Sequence, residues 1–295
     1  MKRCDVSFPS SNTHCAAWVY CPEESAGPVP CIVMSHGYSL TRHDGLASYA
    51  EALVRSGAAV LVYDHRYFGD SGGRPRQLVS LSAQHRDRQA AIAFARRLDG
   101  IDPQRIILWG YSLSGGSAIT AAVNAEAVAG VILLCPLVDG LARAKMVLRK
   151  TPRTAMWSVG YVLASVVRAR TVPVTAKLPA MATMNLPGEA DGFTALVSPA
   201  SPWRNEVRAA AFSATLPLYR PIKHGRELRC PMLIQVASRD TTTSTSAARK
   251  LAQLAREAEL KAYDLNHWEP FDPQNVMHIA ADQSAWLQRN IRTAS

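Results

Sequence analysis

The sequence has 295 residues, of which 48% are hydrophobic and 19% charged, and its formal net charge is +10. This balance predicts a folded chain with a sizeable core and excludes a disordered protein, which would contain far fewer apolar residues. The positive charge raises the question of an anionic partner. Because the basic residues are scattered and not interleaved with aromatic ones, we expect no nucleic-acid binding.

The chain shows no sequence feature of a secreted or membrane-spanning protein. Met1–Asp5 is charged, but the apolar run that a signal peptide requires does not follow it. The longest lipid-like run, Trp157–Val167, is too short to cross a bilayer. The six cysteines lack the two-residue spacing typical of zinc and redox motifs. We therefore expect a cytoplasmic protein with no metal, no cofactor and no membrane partner.

Short β-rich runs alternate with helical runs along most of the chain, which predicts an α/β fold. The early runs Cys4–Phe8 and Cys15–Tyr20 are expected to form an antiparallel pair, and the later runs a mostly parallel sheet of about eight strands with helices on both faces. The later strands are predicted at Cys31–Ser35, Ala58–Tyr63, Arg105–Trp109, Val131–Cys135, Met232–Val236 and Lys261–Leu265. Helices are predicted at Leu46–Ser56, Gln84–Leu98, Leu113–Val123, Ser244–Leu260 and about Asn275–Ile291.

The alternation is interrupted between about Asp139 and Lys223, where helical patches and prolines replace clear strands. Because the two flanks complete one sheet, we interpret this segment as an inserted helical cap. The predicted organisation is a core domain in two parts, residues 1–138 and 224–295, with a cap at residues 139–223.

A candidate nucleophile, Ser112, lies between a predicted apolar strand and a helix of small residues. A serine held on a tight strand-to-helix turn takes a strained positive φ, and the residues two before and two after it must be small. Gly110 and Ser114 meet this requirement, although Ser114 stands where glycine is usual. The motif from Gly110 to Ser114 alone is weak evidence for a catalytic serine. Its position between a strand and a helix is what favours a nucleophile elbow.

A serine nucleophile needs a general base, and the base needs an acid that orients it. His267 follows the last predicted strand, at the sheet edge where α/β folds carry their chemistry, and is the predicted base. His224 precedes a strand and His278 lies in the final helix, so both are disfavoured. Asp240, which follows the strand before His267, is the predicted acid, and Asp139 is the alternative.

Two backbone N–H groups are needed to stabilise the negative charge that develops on a carbonyl oxygen under attack. We expect one from Leu113, directly after the candidate nucleophile. The other is expected from Tyr38, in the loop after the strand Cys31–Ser35. His36, in the same loop, is expected to brace the loop by hydrogen bonds.

Several motifs spread over most of the chain belong together: Ser35–Tyr38, Tyr63–Gly73, Leu108–Ser112, Ser201–Asn205 and His267–Phe271. They resemble the α/β-hydrolase superfamily and, within it, bacterial and fungal hydrolases related to dienelactone hydrolases and polyketide transferases. The resemblance implies Ser112, Asp240 and His267 as a catalytic triad, in agreement with the residues themselves. One departure is Tyr38-Ser39, because the family often has glycine or phenylalanine beside the oxyanion position.

The predicted cap offers apolar side chains that favour a hydrophobic acyl or aromatic substrate over a sugar or a peptide. Its first part is basic and has no Asp or Glu from Leu141 to Arg170. A solvated surface is one interpretation, and docking of coenzyme A or an acidic acyl-carrier protein as the thioester is the other. The residues expected to bind substrate are Tyr38, Tyr111, Met146, Trp157 and Trp268.

The sequence therefore predicts a cofactor-free serine hydrolase that cleaves an ester, lactone or thioester bond through an acyl-enzyme on Ser112. An acyltransferase, which would pass the acyl group to an alcohol or amine, shares this intermediate and stays open. A non-catalytic binding protein on the same fold is disfavoured because all three parts of the triad are present. The oligomeric state is left as monomer or homodimer.

Overall fold

The computed structural model of the chain describes residues 1–25 and 27–291. An eight-stranded sheet runs through the molecule. Its strands are β1 Lys2–Ser10, β2 Thr13–Cys21, β3 Val29–Ser35, β4 Ala59–Tyr63, β5 Ile101–Tyr111, β6 Gly130–Leu134, β7 Met232–Ala237 and β8 Ala258–Tyr263. Their order across the sheet is β1-β2-β4-β3-β5-β6-β7-β8.

The sheet is antiparallel at one edge and parallel elsewhere. β2 pairs antiparallel with both β1 and β4, and each neighbouring pair from β4 through β3 to β8 is parallel. The central strands are buried on both faces, as continuous apolar runs predict. The predicted mostly parallel sheet of about eight strands, with an antiparallel pair at its start, is confirmed.

Helices cover both faces of this sheet. α1 and α9 pack together on one face, where Tyr49 and Trp286 join the same apolar cluster. α2, α3 and α8 cover the other face through side chains such as Ile92, Ile119 and Leu251. The helices are α1 Leu46–Arg55, α2 Leu81–Ala95, α3 Leu113–Asn124, α4 Gly140–Lys150, α5 Pro152–Val167, α6 Glu189–Leu196, α7 Ala210–Thr215, α8 Thr245–Leu254 and α9 Pro273–Asn290.

One predicted helix, Ser244–Leu260, is too long. α8 ends at Leu254, and β8 begins at Ala258. The residues between Leu254 and Leu260 favour a helix on propensity alone, which explains the error. Pairing with β7 overrides that preference, because Ala258 lies opposite Met232 at the start of the parallel ladder.

The segment between β6 and β7 is helical, although these two strands are neighbours in the sheet. It contains α4 to α7 and two short 3₁₀ turns, Leu216–Leu218 and Pro221–His224. Its β-structure consists of isolated bridges such as Val172 with Val207. The division into a core at 1–138 and 224–295 and a cap at 139–223 stays a prediction. Within the described residues, no helix is both long and apolar enough to span a membrane.

The turn from β5 into α3 positions Ser112 and depends on a close backbone approach. A Cβ atom on Gly110 would overlap the carbonyl oxygen of Ser114 and would lie 2.6 Å from the backbone nitrogen of Gly115. Both are main-chain atoms, so no side chain could move aside to relieve the overlap. Glycine is therefore required at position 110 by space.

Arg88 of α2 is fully buried beneath the same turn. Its guanidinium donates to the hydroxyl of Ser35 at 2.6 Å and to the carbonyl oxygens of Ser114 and Trp109 at 3.2 and 3.3 Å. Hydrogen bonds from a charged donor are stronger than neutral ones. Arg88 therefore ties α2 to the ends of β3 and β5 and to the first turn of α3.

A matched pair of glycine substitutions tests this account of the turn. We expect Gly110→Ala to lower the free energy of unfolding by about 3 kcal/mol or more, because overpacking against main-chain atoms cannot relax. Gly160→Ala is the control, since a Cβ there meets no atom within 4 Å and alanine favours the helix by up to about 1 kcal/mol. Urea denaturation measures both, and equal stabilities would contradict the account.

Candidate active site

Ser112 sits at a strained corner between β5 and α3. Its φ is +54° and its ψ is −120°, a conformation that costs a non-glycine residue on the order of 1–3 kcal/mol. Its carbonyl oxygen accepts hydrogen bonds from the N–H groups of Gly115 at 3.0 Å and Leu137 at 2.8 Å. These bonds hold the corner, so the side chain projects from the carboxyl edge of the sheet.

Ser114 has a definite role in this corner. Its hydroxyl accepts from the N–H of Tyr111 at 3.0 Å and donates to the carbonyl oxygen of Ser35 at 2.6 Å. The side chain is 3% exposed. A glycine here would leave both partners unsatisfied, so the serine bridges the end of β5 to the end of β3.

Three of the predicted residues meet in one hydrogen-bonded chain. Nε2 of His267 lies 3.2 Å from Oγ of Ser112, and Nδ1 lies 2.7 Å from Oδ2 of Asp240. The side chains of His267 and Asp240 are each 2% exposed. The structure thus brings together side chains from the ends of β5, β7 and β8, as predicted for their positions.

The environment of Asp240 fixes its charge and orientation. Its Oδ1 accepts from the N–H groups of Thr242 and Thr243 at 2.7 and 2.8 Å, and its Oδ2 accepts from the Thr243 hydroxyl at 2.8 Å. Burial raises the pKa of Asp240, but His267 and these hydrogen bonds outweigh it and hold the pKa below its ordinary value. An ionised Asp240 places the imidazole proton on Nδ1 and leaves Nε2 free to accept from Ser112.

The alternative residues lie elsewhere. Asp139 caps α4 by accepting from the N–H of Leu141, and it forms an ion pair with Arg220 at 2.9 Å. His224 is paired with Glu227. The exposed His278 lies on α9. Of the residues considered for the acid and the base, His267 contacts Ser112 and Asp240 contacts His267.

The loop after β3 passes directly against the Ser112 corner. A Cβ on Gly37 would lie 3.0 Å from Cβ of Ser112, so a side chain here would crowd the serine. Tyr38 follows at once, and its backbone is therefore beside the serine. Leu113 is the first residue of α3, where an N–H has no intrahelical acceptor. The assignment of an oxyanion hole to Tyr38 and Leu113 stays a prediction.

His36 braces this loop. Its Nδ1 accepts from the N–H of Gly37 at 2.9 Å, so the proton is on Nε2, which donates to the carbonyl oxygen of Asp44. Burial lowers the pKa of His36 to about 4, against the opposing effect of Asp44. The neutral ring therefore holds the position of the residues that precede Tyr38.

A cavity of about 510 Å³ opens over Ser112. Its wall is mostly apolar, and α4, α5 and the α7 region contribute most of it. Several of its apolar side chains are Leu137, Ala144, Val147, Val162, Phe212 and Leu216.

Tyr38 is the one of the five expected substrate contacts that lines this cavity, where its ring packs on Phe212 with a centroid distance of 5.4 Å. Met146, Trp157 and Trp268 are not part of the lining. Trp157 stacks on Tyr161 within α5, with a ring-centroid distance of 5.6 Å. The expectation that these three side chains bind substrate stays a prediction.

Tyr111 and Trp268 support His267 from outside the cavity. The hydroxyl of the buried Tyr111 donates to the carbonyl oxygen of His267 at 2.8 Å, and the two rings lie 4.9 Å apart. Trp268 packs edge-on against His267 and contacts Phe193 of α6. Both residues position the base, and the expectation that they contact substrate stays a prediction.

Helical spacing groups the residues of the cavity wall on each helix. Ala144 and Val147 lie three residues apart on α4, and Ala155, Ser158 and Val162 follow the same spacing on α5. Residues at such intervals share one face of a helix. The residues expected from their large side chains, Met146 and Trp157, are the sequence neighbours of the lining residues Val147 and Ser158.

Arg143 is the one basic residue of the cavity wall. It forms an ion pair with the buried Glu189 at 2.7 Å and donates to the carbonyl oxygen of Thr242 at 2.9 Å. Its charge is therefore neutralised inside the protein, although the sequence groups it with the basic residues of the surface.

The chain is similar in sequence and in fold to several known proteins. Residues 27–268 match the family described as serine aminopeptidase, S33. The quorum-quenching protein AidA of Acinetobacter baumannii is 35% identical over 291 residues, which cover 97% of this chain and 94% of AidA. The thiohydrolase aneE of Aspergillus aculeatus is 40% identical over 118 residues, 40% of this chain and 37% of aneE. The α/β hydrolase GrgF from Penicillium sp. sh18 has a TM-score of 0.79 at 20% identity, over 98% of this chain and 99% of GrgF.

The chain belongs to the S33 serine aminopeptidase family of α/β-hydrolases. It is therefore a hydrolase, and the resemblance that its motifs indicate is confirmed. The likeness to GrgF, at this low identity, concerns the fold.

The buried neutral His36 generates a pH-dependent stability. Because its pKa is about 4 when folded and 6.5 ordinarily, the unfolded chain binds the extra proton between these values. The stability is complete above pH 6.5 and is lost as the pH falls towards 4. We expect this residue alone to lower the free energy of unfolding by about 2 kcal/mol from pH 7 to pH 5, measured by urea denaturation.

His36→Gln cannot take up the proton and should lose this part of the pH dependence. His278→Gln, at an exposed position, is the matched control and should keep it. Identical pH dependence in the wild type and His36→Gln would contradict the neutral, bracing role.

Proposed function

We propose that this hydrolase cleaves an ester, lactone or thioester bond of a hydrophobic acyl substrate through an acyl-enzyme on Ser112. One observation carries the proposal: the hydrogen-bonded chain from Asp240 through His267 ends at Ser112 beneath an apolar cavity. A serine nucleophile, a base and an orienting acid are the components that acyl transfer to serine requires.

In the first half of the reaction, Oγ of Ser112 attacks the substrate carbonyl carbon while Nε2 of His267 takes the hydroxyl proton. The ionised Asp240 stabilises the imidazolium that forms, through the hydrogen bond to Nδ1. The backbone N–H groups of Tyr38 and Leu113 stabilise the carbonyl oxygen as it becomes negative. His267 then returns the proton to the leaving alcohol or thiol.

In the second half, a water molecule replaces the leaving group. Nε2 of His267 removes a proton from this water, and the resulting hydroxide attacks the carbonyl carbon of the acyl-serine. Collapse of the intermediate releases the carboxylic acid and gives the proton back to Oγ of Ser112. The same protein groups serve both halves, so no further catalytic group is needed.

The cavity favours an apolar acyl group. Its volume is within the range of ordinary ligand pockets, and its one cation, Arg143, is paired with Glu189. An aminopeptidase would need an anionic group to bind the α-ammonium of its substrate, and no Asp or Glu is among the cavity-lining residues, all of which are described. The similarity to the thiohydrolase aneE supports a thioester substrate over a peptide.

Removal of the nucleophile tests the reaction directly. We expect Ser112→Ala to lower kcat/KM for p-nitrophenyl butyrate by about 10⁴-fold or more and to abolish labelling by a fluorophosphonate. Asp240→Asn is expected to lower kcat by a similar factor, because the imidazole loses its orienting charge. Ser25→Ala, at an exposed loop position, is the control.

Turnover that survives Ser112→Ala, or a wild type that neither turns over nor labels, would overturn the proposal. Product analysis with added alcohol distinguishes hydrolysis from acyl transfer, since free acid is the expected main product. A predominance of the new ester would assign the chain as an acyltransferase.

Two adjacent residues of α4 test whether the cavity holds the acyl chain. Val147 lines the cavity and Met146 does not. We expect Val147→Phe to lower kcat/KM for p-nitrophenyl octanoate at least about tenfold more than for the acetate, because one added ring narrows the cavity. Met146→Phe should change the two esters equally, and the same selectivity change in both variants would place the acyl chain elsewhere.

A further inference from the structure

The outward side of α5 carries large apolar side chains that nothing in the described chain covers. We define the α5 outer face as these residues together with one from α4, and their exposed fractions range from 59% to 92%. Isolated exposed apolar residues are common, but a contiguous set usually marks a contact site. The members of the α5 outer face are Leu148, Met156, Val159, Leu163, Val166 and Val167.

The same helix also forms the wall of the catalytic cavity. Ala155, Ser158 and Val162 line the cavity from its inner side, and Val159 and Leu163 belong both to the lining and to the α5 outer face. A helix that is apolar all round is normally buried on all sides. The exposed side of α5 therefore adjoins the cavity. Its apolar side chains would be more stable against another apolar surface than in water.

Positive charge borders this face at both ends. Arg149 and Arg153 are exposed at the junction of α4 and α5, and Arg168 and Arg170 are exposed just after α5 ends. The sequence has no Asp or Glu from residue 140 to residue 188. An apolar stripe with cationic ends and no acid in its own stretch of the sequence is complementary to an apolar layer with an anionic surface.

We propose that the α5 outer face docks on an anionic lipid surface. α5 would lie flat, with its aliphatic side chains among the acyl chains near the headgroups and the four arginines against the lipid phosphates. The cavity would then open next to the lipid, so an apolar acyl substrate could pass into it without crossing water. This last step rests on the proposed function, whereas the docking itself does not.

Two other occupants fit the observations less well. A second copy of the chain would bring two sets of unneutralised arginines together, and like charges across an interface are unfavourable. An acidic protein partner would match the arginines, but Leu and Val are under-represented among the residues that carry the binding energy of protein interfaces. The exposed members of this face are aliphatic residues and methionine.

The expectation that no membrane is involved came from the length of Trp157–Val167. That length excludes a helix that crosses a bilayer, and it does not bear on a helix that lies in the surface. The exposed positions of Val166 and Val167 could not be read from the sequence, where they look like core residues.

Vesicle co-sedimentation with the full chain tests the docking. We expect binding to vesicles of phosphatidylcholine with phosphatidylglycerol, weaker binding to phosphatidylcholine alone, and release at high salt. Met156→Gln/Val166→Gln/Val167→Gln should lower the affinity about tenfold or more, and Arg168→Glu/Arg170→Glu should remove the preference for the anionic vesicles. Met277→Gln, an exposed methionine on α9, is the matched control and should bind as the wild type does.

Ser112→Ala should bind vesicles as the wild type does, so docking and catalysis are tested separately. Absence of binding to both kinds of vesicle, or equal binding to both, would overturn the proposal. So would a dimer, found by analytical ultracentrifugation without lipid, that the triple glutamine variant dissociates, because that result would assign the face to a second copy.

Discussion

The site depends on one constraint, the left-handed corner at Ser112. A φ of +54° directs the serine side chain out of the sheet, and the surroundings hold it there. Gly110 provides the space, the Ser114 hydroxyl joins the ends of β5 and β3, and Arg88 supports both strand ends from beneath. The hydrogen bonds that offset the conformational cost of this corner therefore also fix the loop of Tyr38 beside the nucleophile.

The parallel sheet supplies the second half of the geometry. Because the carboxyl ends of β5, β7 and β8 meet at one edge, the loops that follow them can place a serine, an acid and a base within hydrogen-bond distance. His267 and the hydrogen bonds from Thr243 hold the pKa of Asp240 below its ordinary value, and the negative charge decides which nitrogen of His267 carries the proton. The topology thus brings the three side chains together, and the charge of Asp240 sets the tautomer of His267.

The sequence predicts the sheet, the corner and the meeting of Ser112, Asp240 and His267, because these follow from local patterns and chain order. The wall of the cavity was harder to predict. Whether Met146 or Val147 faces the cavity depends on the packing of α4, which no local pattern determines. The extent of α8 was overestimated for a related reason, since pairing of β8 with β7 overrides helix propensity beyond Leu254.

The ion pair between Arg143 and Glu189 has a consequence for engineering by segment exchange. Arg143 also holds the carbonyl oxygen of Thr242, whose N–H holds Asp240, so the cavity wall and the acid are mechanically linked. A chimaera whose new α4 lacks this arginine but which keeps α6 would leave Glu189 buried without its cation, at a cost of about 3–5 kcal/mol. The two helices therefore have to be exchanged together if the pair is to be kept.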